Sequence, residues 1–404
     1  MNARYRWVIL ATGAVGAGAF SALRMGLPSL GPALRSEFGL TLGEVGLAFA
    51  AVTAGGMLTL IPWGALTDRI GERPVMATGL AGCGVSLAVA ATVDSYAGLL
   101  VALLAAGMLG SSATGASGRA VMGWFARSER GFALGIRQMA LPLGGALTAL
   151  TLPSVVDARG LDAAFVALAC LSITAALAAA LLMRDPPPAP SRAPARPRTP
   201  PTRDPRLWRL GAGGALLVCA QASMLGFIVL FLHDARDVSA AMAAGALGAL
   251  QIVGALVRIV AGRRSDREGL RIAPMRRIAA RNAVLLAALG ALAGGPSLVL
   301  YPVLAIAAVS TMSWNGLAFT AAAEISGRAR AGTAMSLQNT IISVGGVLAP
   351  TAFGVLVEAT SWTAAYAVLA IAPLAAFVVL APLEGDEDAR IAARAAEPLP
   401  LEAT

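Results

Sequence analysis

Five arginines stand inside stretches that are otherwise apolar: Arg24, Arg119, Arg137, Arg258 and Arg281. Carboxamides and one indole accompany them at comparable depths, namely Gln138, Gln221, Gln251, Gln338, Asn339, Asn315 and Trp314. No Asp or Glu lies in the middle of any of these stretches, and the nearest, Glu44 and Glu324, sit close to their ends. A guanidinium presents a planar fork of donors that grips a carboxylate through two parallel bonds. Guanidiniums and amides with no acid among them suit an anion.

The elements that carry these residues must live in lipid. The chain has 404 residues, of which 57% are hydrophobic and only 13% charged, with a mean hydropathy of +0.74, too apolar for an ordinary soluble domain. A central arginine in such a stretch costs about 2.5–3.5 kcal/mol, so it normally faces a watery cavity or a partner. The net charge of +9 sits between the apolar stretches rather than on a basic face, which argues against nucleic acid. Cys83, Cys170 and Cys219 each fall inside an apolar run, far from metal-ligand spacing, and read as packing residues. Neither a metal set, a phosphate loop nor a nucleophile–base pair is written in the chain, so neither an enzyme nor a cofactor is expected.

Breaks at charges, Pro and Gly give twelve spans: 7–33, 42–64, 74–93, 97–124, 131–156, 161–183, 208–233, 240–263, 274–294, 297–323, 331–357 and 362–382. The proline-rich RDPPPAPSRAPARPRTPPTRDP, Arg184 to Pro205, cannot cross lipid as an unbroken helix and divides six spans from six. The expected organisation is an all-α membrane protein with 12 transmembrane helices in two pseudo-symmetric halves: 1–183, a cytoplasmic Pro/Arg-rich linker 184–207, 208–383, and a cytoplasmic tail 384–404. Of the arginines outside the spans, 23 lie on the side of both termini and the linker and three, Arg35, Arg159 and Arg236, on the other. Both termini are therefore expected in the cytoplasm. The Ala- and Gly-rich composition, with all 31 basic residues arginine, points to a bacterial inner membrane.

Two repeats support the halves. GALTDRIGERP, from Gly64, overlays GRRSDREGLR, from Gly262, so that Asp68 meets Asp266, Arg69 meets Arg267, Gly71 meets Gly269 and Arg73 meets Arg271. ERGFALGIRQMALPLGG, from Glu129, overlays RAGTAMSLQNTIISVGG, from Arg330, and the pair Gly144, Gly145 falls on Gly345, Gly346.

G-x-L-x-D-R-x-G-x-R, filled by Gly64, Leu66, Asp68, Arg69, Gly71 and Arg73, resembles the signature of the major facilitator superfamily, and the resemblance extends from the first span to the twelfth. It implies a conformational latch in the charged turns, formed by Gly64, Asp68, Arg69, Gly71, Arg73, Asp266, Arg267 and Arg271 across the cytoplasmic side. It also implies a central cavity lined by helices 1, 4, 7 and 10 and parts of 2, 5, 8 and 11, which takes in Arg24, Arg119, Arg137 and Arg258 but not Arg281.

R-x-x-x-G-x-x-x-D, from Arg258 through Gly262 to Asp266, is similar to helix eight of the oxalate/formate exchangers and monocarboxylate transporters, whose Arg there binds the substrate carboxylate. Those families often follow this Arg with Pro, where this chain has Ile259. Substrate ligands are expected at Arg24, Arg258, Arg137, Gln138, Gln251, Asn315, Trp314, Gln338 and Asn339, with Arg119 and Glu129 at the cytoplasmic gate. Arg137 and Gln138, like Gln338 and Asn339, are neighbours about 100° apart, so only one of each pair can point squarely into a cavity. Arg137 can instead snorkel to the surface, and Trp314 can stack on a substrate or simply pack.

The resulting expectation is a secondary active transporter of a small organic anion, a carboxylate, working as a monomer by alternating access. Exchange against a counter-anion or symport with a proton fits better than a proton antiporter, because no mid-span carboxylate is available to carry the proton. A proton-driven drug efflux pump is the alternative. Its helix-five signature G-P-x-x-G-G is only approached by LPLGG, Leu141 to Gly145. A non-transporting membrane sensor is a further alternative.

Overall fold

A computed structural model describes residues 4–125, 129–184, 201–326 and 331–395. Most of the linker therefore lies outside the described residues, as does the end of the tail. The described residues form helices and no strands.

The helices, in chain order, are α1 (Tyr5–Gly26, extended by a 3-10 turn Leu27–Leu30 and Gly31–Phe38), α2 (Leu42–Ile70), α3 (Glu72–Ala90), α4 (Tyr96–Gly110 and Ser112–Trp124), α5 (Arg130–Arg159), α6 (Leu161–Leu182), α7 (Pro205–Arg236), α8 (Ala240–Glu268), α9 (Ile272–Leu292), α10 (Ser297–Thr311 and Asn315–Ser326), α11 (Ala331–Ala359), α12 (Trp362–Leu369 and Ile371–Val379) and α13 (Ala381–Ala395). Among the described residues, eleven of these runs are long and apolar enough to cross a membrane. The exception is α9, whose 21 residues include Arg276, Arg277 and Arg281. α13 makes the start of the expected tail a helix.

Local chemistry fixes several boundaries. Thr41 and Glu44 form a reciprocal capping box at the start of α2. Gly71 and Gly269, equivalent positions of the two charged turns, both adopt positive φ, 87° and 68°, which a side chain would resist. α10 is interrupted where Thr311 Oγ1 donates to Ala308 O and Ser313 Oγ to Ser310 O, side-chain bonds that compete with the helical ladder.

The chain divides into two compact units. Unit 1 comprises Met1–Arg192, Gln221–Ala255 and Gly346–Ala365; unit 2 comprises Ala193–Ala220, Leu256–Gly345 and Tyr366–Thr404. Unit 1 thus takes in stretches of α7, α8, α11 and α12 along with α1–α6. Unit 1 packs Ile9, Met76, Leu80 and the alanines of α4 into one apolar core, where small residues let helices approach closely. Unit 2 gathers Leu210, Leu217, Ile278, Leu317 and Ile342 around Trp314.

Candidate functional site

Unit 1 holds a closely packed crossing of α1, α5 and α8. Gly144 of α5 lies against the carbonyl of Gly18 of α1, and Thr148 Oγ1 donates to Ala22 O one turn on. Gly145 faces Gln251 of α8, so that a Cβ there would overlap the amide oxygen and come within 2.6 Å of the Met25 Cβ. Gln251 is buried, and its Nε2 donates to Met25 O at 3.3 Å. The glycine pair of α11 repeats this arrangement within each unit: Gly345 lies against Ala215 O in unit 2, and Gly346 meets Thr53 of α2 in unit 1. The offset of 198 residues that relates Gly64 to Gly262 also relates Thr53 to Gln251.

Toward the ends of these helices the packing continues. Gly46 of α2 sits on Pro350 O of α11, and Gly354 of α11 on Leu42 O. The Leu42 amide donates to Glu358, and Arg35 pairs with Asp234. Phe49, Phe227, Phe353 and Trp362 stack edge to face beside them, with the Phe227–Phe353 centroids 5.2 Å apart. His233, one position before Asp234, bonds Val238 O at the end of α7.

Arg24 stands beside this crossing, next in sequence to Met25. It is exposed, in the last turn of Tyr5–Gly26, and no hydrogen bond or ion pair holds it among the described residues. Arg137 behaves differently. It is 6% exposed and does not snorkel, because its Nε donates to Ser117 Oγ at 2.8 Å and its Nη2 to Thr114 O on the second segment of α4. Its neighbour Gln138 is the exposed member of that pair and accepts from Arg137 Nη1 at 3.3 Å.

In unit 2, Arg258 Nε donates to Met312 O at 2.7 Å, a carbonyl freed by the interruption of α10. The first half has a counterpart: at the interruption of α4, Met108 O accepts from Thr59 Oγ1 at 2.7 Å and Trp63 Nε1 at 2.6 Å, both on α2. In both halves, then, the fourth helix breaks and the second supplies the donor. Arg281 also reaches the α10 break, through Ser310 Oγ at 2.8 Å and Ser313 Oγ at 3.4 Å.

The remaining candidates of unit 2 differ in access. Trp314 is fully buried among the apolar residues of α7, α9 and α11, so in this conformation it packs rather than offering a ring to a substrate. Gln338 is equally buried, with neither amide atom bonded among the described residues, whereas Asn339 and Asn315 are half-buried.

Each charged turn is tied down inside its own unit. Asp68 pairs with Arg119 of α4, and Arg119 Nε also lies 2.9 Å from Glu72, which is 1% exposed. Arg119, expected at a gate, is thus the partner of the first charged turn. Arg73 Nε donates to Ala180 O of α6, while Arg69 is exposed. In unit 2, Arg271 bonds Asp266 at 2.7 Å and Glu324 of α10 at 3.0 Å, while Arg267 is exposed. Burial opposes the charge on Arg271, yet these two carboxylates hold its pKa above the ordinary value. Glu129, the other expected gate residue, pairs with Arg6 of α1 at 2.7 Å.

Sequence reasoning missed the acids that complete these networks. In the sequence, nothing sets Glu72, Glu358 and Glu387 apart from other charges near helix ends. In space Glu387 of α13 caps α9, its carboxylate accepting the Arg271 amide at 2.7 Å, the Ile272 amide at 3.0 Å and the Ala273 amide at 3.2 Å. Among the described residues, no group of His, Cys, Asp and Glu could hold a metal ion.

The family model for the Major Facilitator Superfamily matches residues 12–350 and 315–403. The chain belongs to the major facilitator superfamily. It is 36% identical over 383 residues to an uncharacterized MFS-type transporter of Mycobacterium tuberculosis, covering 94% of this chain and 85% of the relative. A shorter likeness, 30% over 168 residues, covers 41% of this chain and 38% of the probable sulfoacetate transporter of Cupriavidus necator. Among solved structures, a bacterial homolog of the human lysosomal transporter Spinster, inward-facing and unoccupied, gives a TM-score of 0.74 at 18% identity over 93% of this chain and 95% of that one. The human organic anion transporter MFSD10 gives 0.71 at 20% identity over 94% and 100%. These likenesses show the fold. As a member of the superfamily, this facilitator is a multi-pass membrane transporter and not an enzyme.

Proposed function

We propose that this transporter carries a small organic anion, a carboxylate or sulfonate, by alternating access in a bacterial inner membrane. The observation that carries the reading is Arg24, an exposed guanidinium within a membrane span that no residue neutralises among those described. An anionic substrate is the natural complement of such a group. Arg137 and Gln138 in unit 1 and Arg258, Asn315 and Asn339 in unit 2 are the further candidate ligands. The sulfonate enters the class through the partial likeness to the Cupriavidus necator relative.

The sign of the charges disfavours proton antiport. The buried acids Glu72 and Glu387 are engaged by Arg119 and by backbone amides, so neither is free to carry a proton through the membrane. Exchange against another anion, or symport with the substrate's own proton, fits that inventory. With both termini in the cytoplasm, the charged turns fall in cytoplasmic loops, and within unit 1 the glycine-packed crossing and the Phe227 cluster form a closure. The working unit is a monomer.

The test is uptake of labelled carboxylates and sulfonates into liposomes holding the purified protein. Arg24→Ala and Arg258→Ala are expected to lose uptake by at least tenfold. Wild-type uptake by both variants would remove the ligand assignment, and export of lipophilic cations alone would replace the anion carrier by a drug efflux pump.

A further inference from the structure

Arg281 was not among the expected ligands, since α9 is one of the outer helices of the family plan, yet it stands in a polar cluster. Asn282, fully buried beside it, accepts the hydroxyl of Ser310 through Oδ1. Ser310 Oγ in turn accepts Arg281 Nε, and Ser313 Oγ accepts Arg281 Nη2 while donating to Ser310 O at 2.7 Å.

The bonds of this group leave one buried donor over. Both serine hydroxyls have spent their protons, the Asn282 carbonyl is occupied, and the Met312 carbonyl between the two serines is taken by Arg258. What is left buried is the Asn282 Nδ2, an amide with no partner among the described residues, beside the guanidinium of Arg281, whose side chain is exposed. Buried donors normally find an acceptor. The cluster carries one positive charge, and no carboxylate is paired with it among the described residues.

We propose that Arg281 and Asn282 form an anion site against the interruption of α10, taking a single small acceptor of negative charge, either an inorganic monovalent anion or one carboxylate of an organic acid. This site is additional to the substrate reading given above and does not depend on it. The bound anion would accept from Asn282 Nδ2 and from Arg281 Nη1, completing the cluster. Because Arg281 and Arg258 both hold residues 310–313, occupancy of the site would also fix the geometry of the α10 break, the point at which a discontinuous helix can bend.

The experiment uses the full-length protein in detergent and, in parallel, crystals soaked in bromide. Thermal unfolding is followed as sodium gluconate is replaced by chloride, bromide, formate or acetate at constant ionic strength. A saturable rise in Tm of roughly 2 °C or more is expected for one of these series. It should be absent in Arg281→Gln and in Asn282→Leu, the latter a variant of similar volume that removes the orphan donor without removing the charge. A halide response with anomalous bromide scattering beside Asn282 assigns the site to an inorganic anion, and a response to formate or acetate alone assigns it to a carboxylate. Identical unfolding curves in all salts, with only ordered water at Asn282, overturn the proposal. Uptake of substrate by Arg281→Gln is a separate readout, so loss of the anion response and failure of the substrate reading are distinguishable.

Discussion

The amide of Gln251 lies directly over Gly145, where α8 crosses α5 with no room for a side chain between them. The same place holds the Gln251–Met25 hydrogen bond, so one contact joins α8 to α1 and α5 together. A crossing of this kind closes only because residue 145 is glycine. Its weakness is that a single methyl group must separate the helices.

Gly145→Ala is therefore expected to oppose this packing. Overpacking costs about 1–3 kcal/mol, which corresponds to roughly a 5- to 150-fold shift between two conformations. Labelling rates of a single cysteine placed at Phe49, in an otherwise cysteine-free background, would report the opening. Faster labelling than in the parent is the expected result, and an unchanged rate would show that the crossing is not part of the closure. Gly346→Ala should be milder, because Thr53 Cγ2 lies 3.5 Å from the position of the added Cβ.

Arg24 and Arg137 should separate in their effects on stability. Arg24 is exposed and makes no bond among the described residues, so Arg24→Ala is expected to change Tm by less than about 2 °C while transport is lost. Arg137 holds two residues of α4, so Arg137→Ala should lower Tm measurably as well as slow transport, leaving the Thr114 carbonyl and Ser117 hydroxyl without this donor. Equal Tm losses in both variants would contradict this division of labour.

A third prediction concerns Glu72, whose carboxylate is 1% exposed and faces Arg119. Arg119→Gln removes this ion pair from that buried charge, at a cost of roughly 2–4 kcal/mol, below the range for a fully buried pair because Arg119 stays partly solvated. Adding Glu72→Gln should recover most of the loss. Asp68→Asn, at a side chain 74% exposed, should cost less than about 1 kcal/mol and act on turnover instead. Denaturant melts and initial uptake rates, read side by side, distinguish the two.

The cap on α9 gives a fourth. Glu387→Ala frees three amides at the start of α9, and typical caps contribute about 0.5–2 kcal/mol. Hydrogen exchange of Ile272 and Ala273 should accelerate by about 2- to 30-fold, with Glu387→Gln intermediate. No change in exchange would mean that α13 is not needed to hold the α9 terminus.

How much of this was written in the chain depends on the range of the signal. Gly71 and Gly269 announced both charged turns, since positive φ is a local demand, and the spans carrying Arg24 and Arg258 were evident from apolar length alone. The ninth span was legible as a helix although three arginines dilute it. Trp314 was ambiguous because an aromatic at helical spacing serves a core as well as a site, and in space it sits in the core. Glu72, Glu358 and Glu387 were illegible as structural residues: their partners lie on helices far away in sequence, and a carboxylate near a helix end looks the same whether solvated or buried. The Gly144–Gly145 and Gly345–Gly346 pairs were visible as a repeat, but what they pack against appears only when Gln251 and Thr53 are brought to them.

The transport reading requires an anion that neutralises Arg24. Its most direct measurement is thermal unfolding of the purified protein against oxalate, malonate, acetate, benzoate, sulfoacetate, sulfate and tetraphenylphosphonium, each with wild type and Arg24→Ala. A ligand at about 100 times its Kd stabilises the state that binds it by roughly 2.7 kcal/mol. One class of carboxylate or sulfonate is expected to raise Tm in the wild type and to fail to do so in Arg24→Ala. A shift produced by tetraphenylphosphonium alone, or an anion shift that survives in Arg24→Ala, would contradict it.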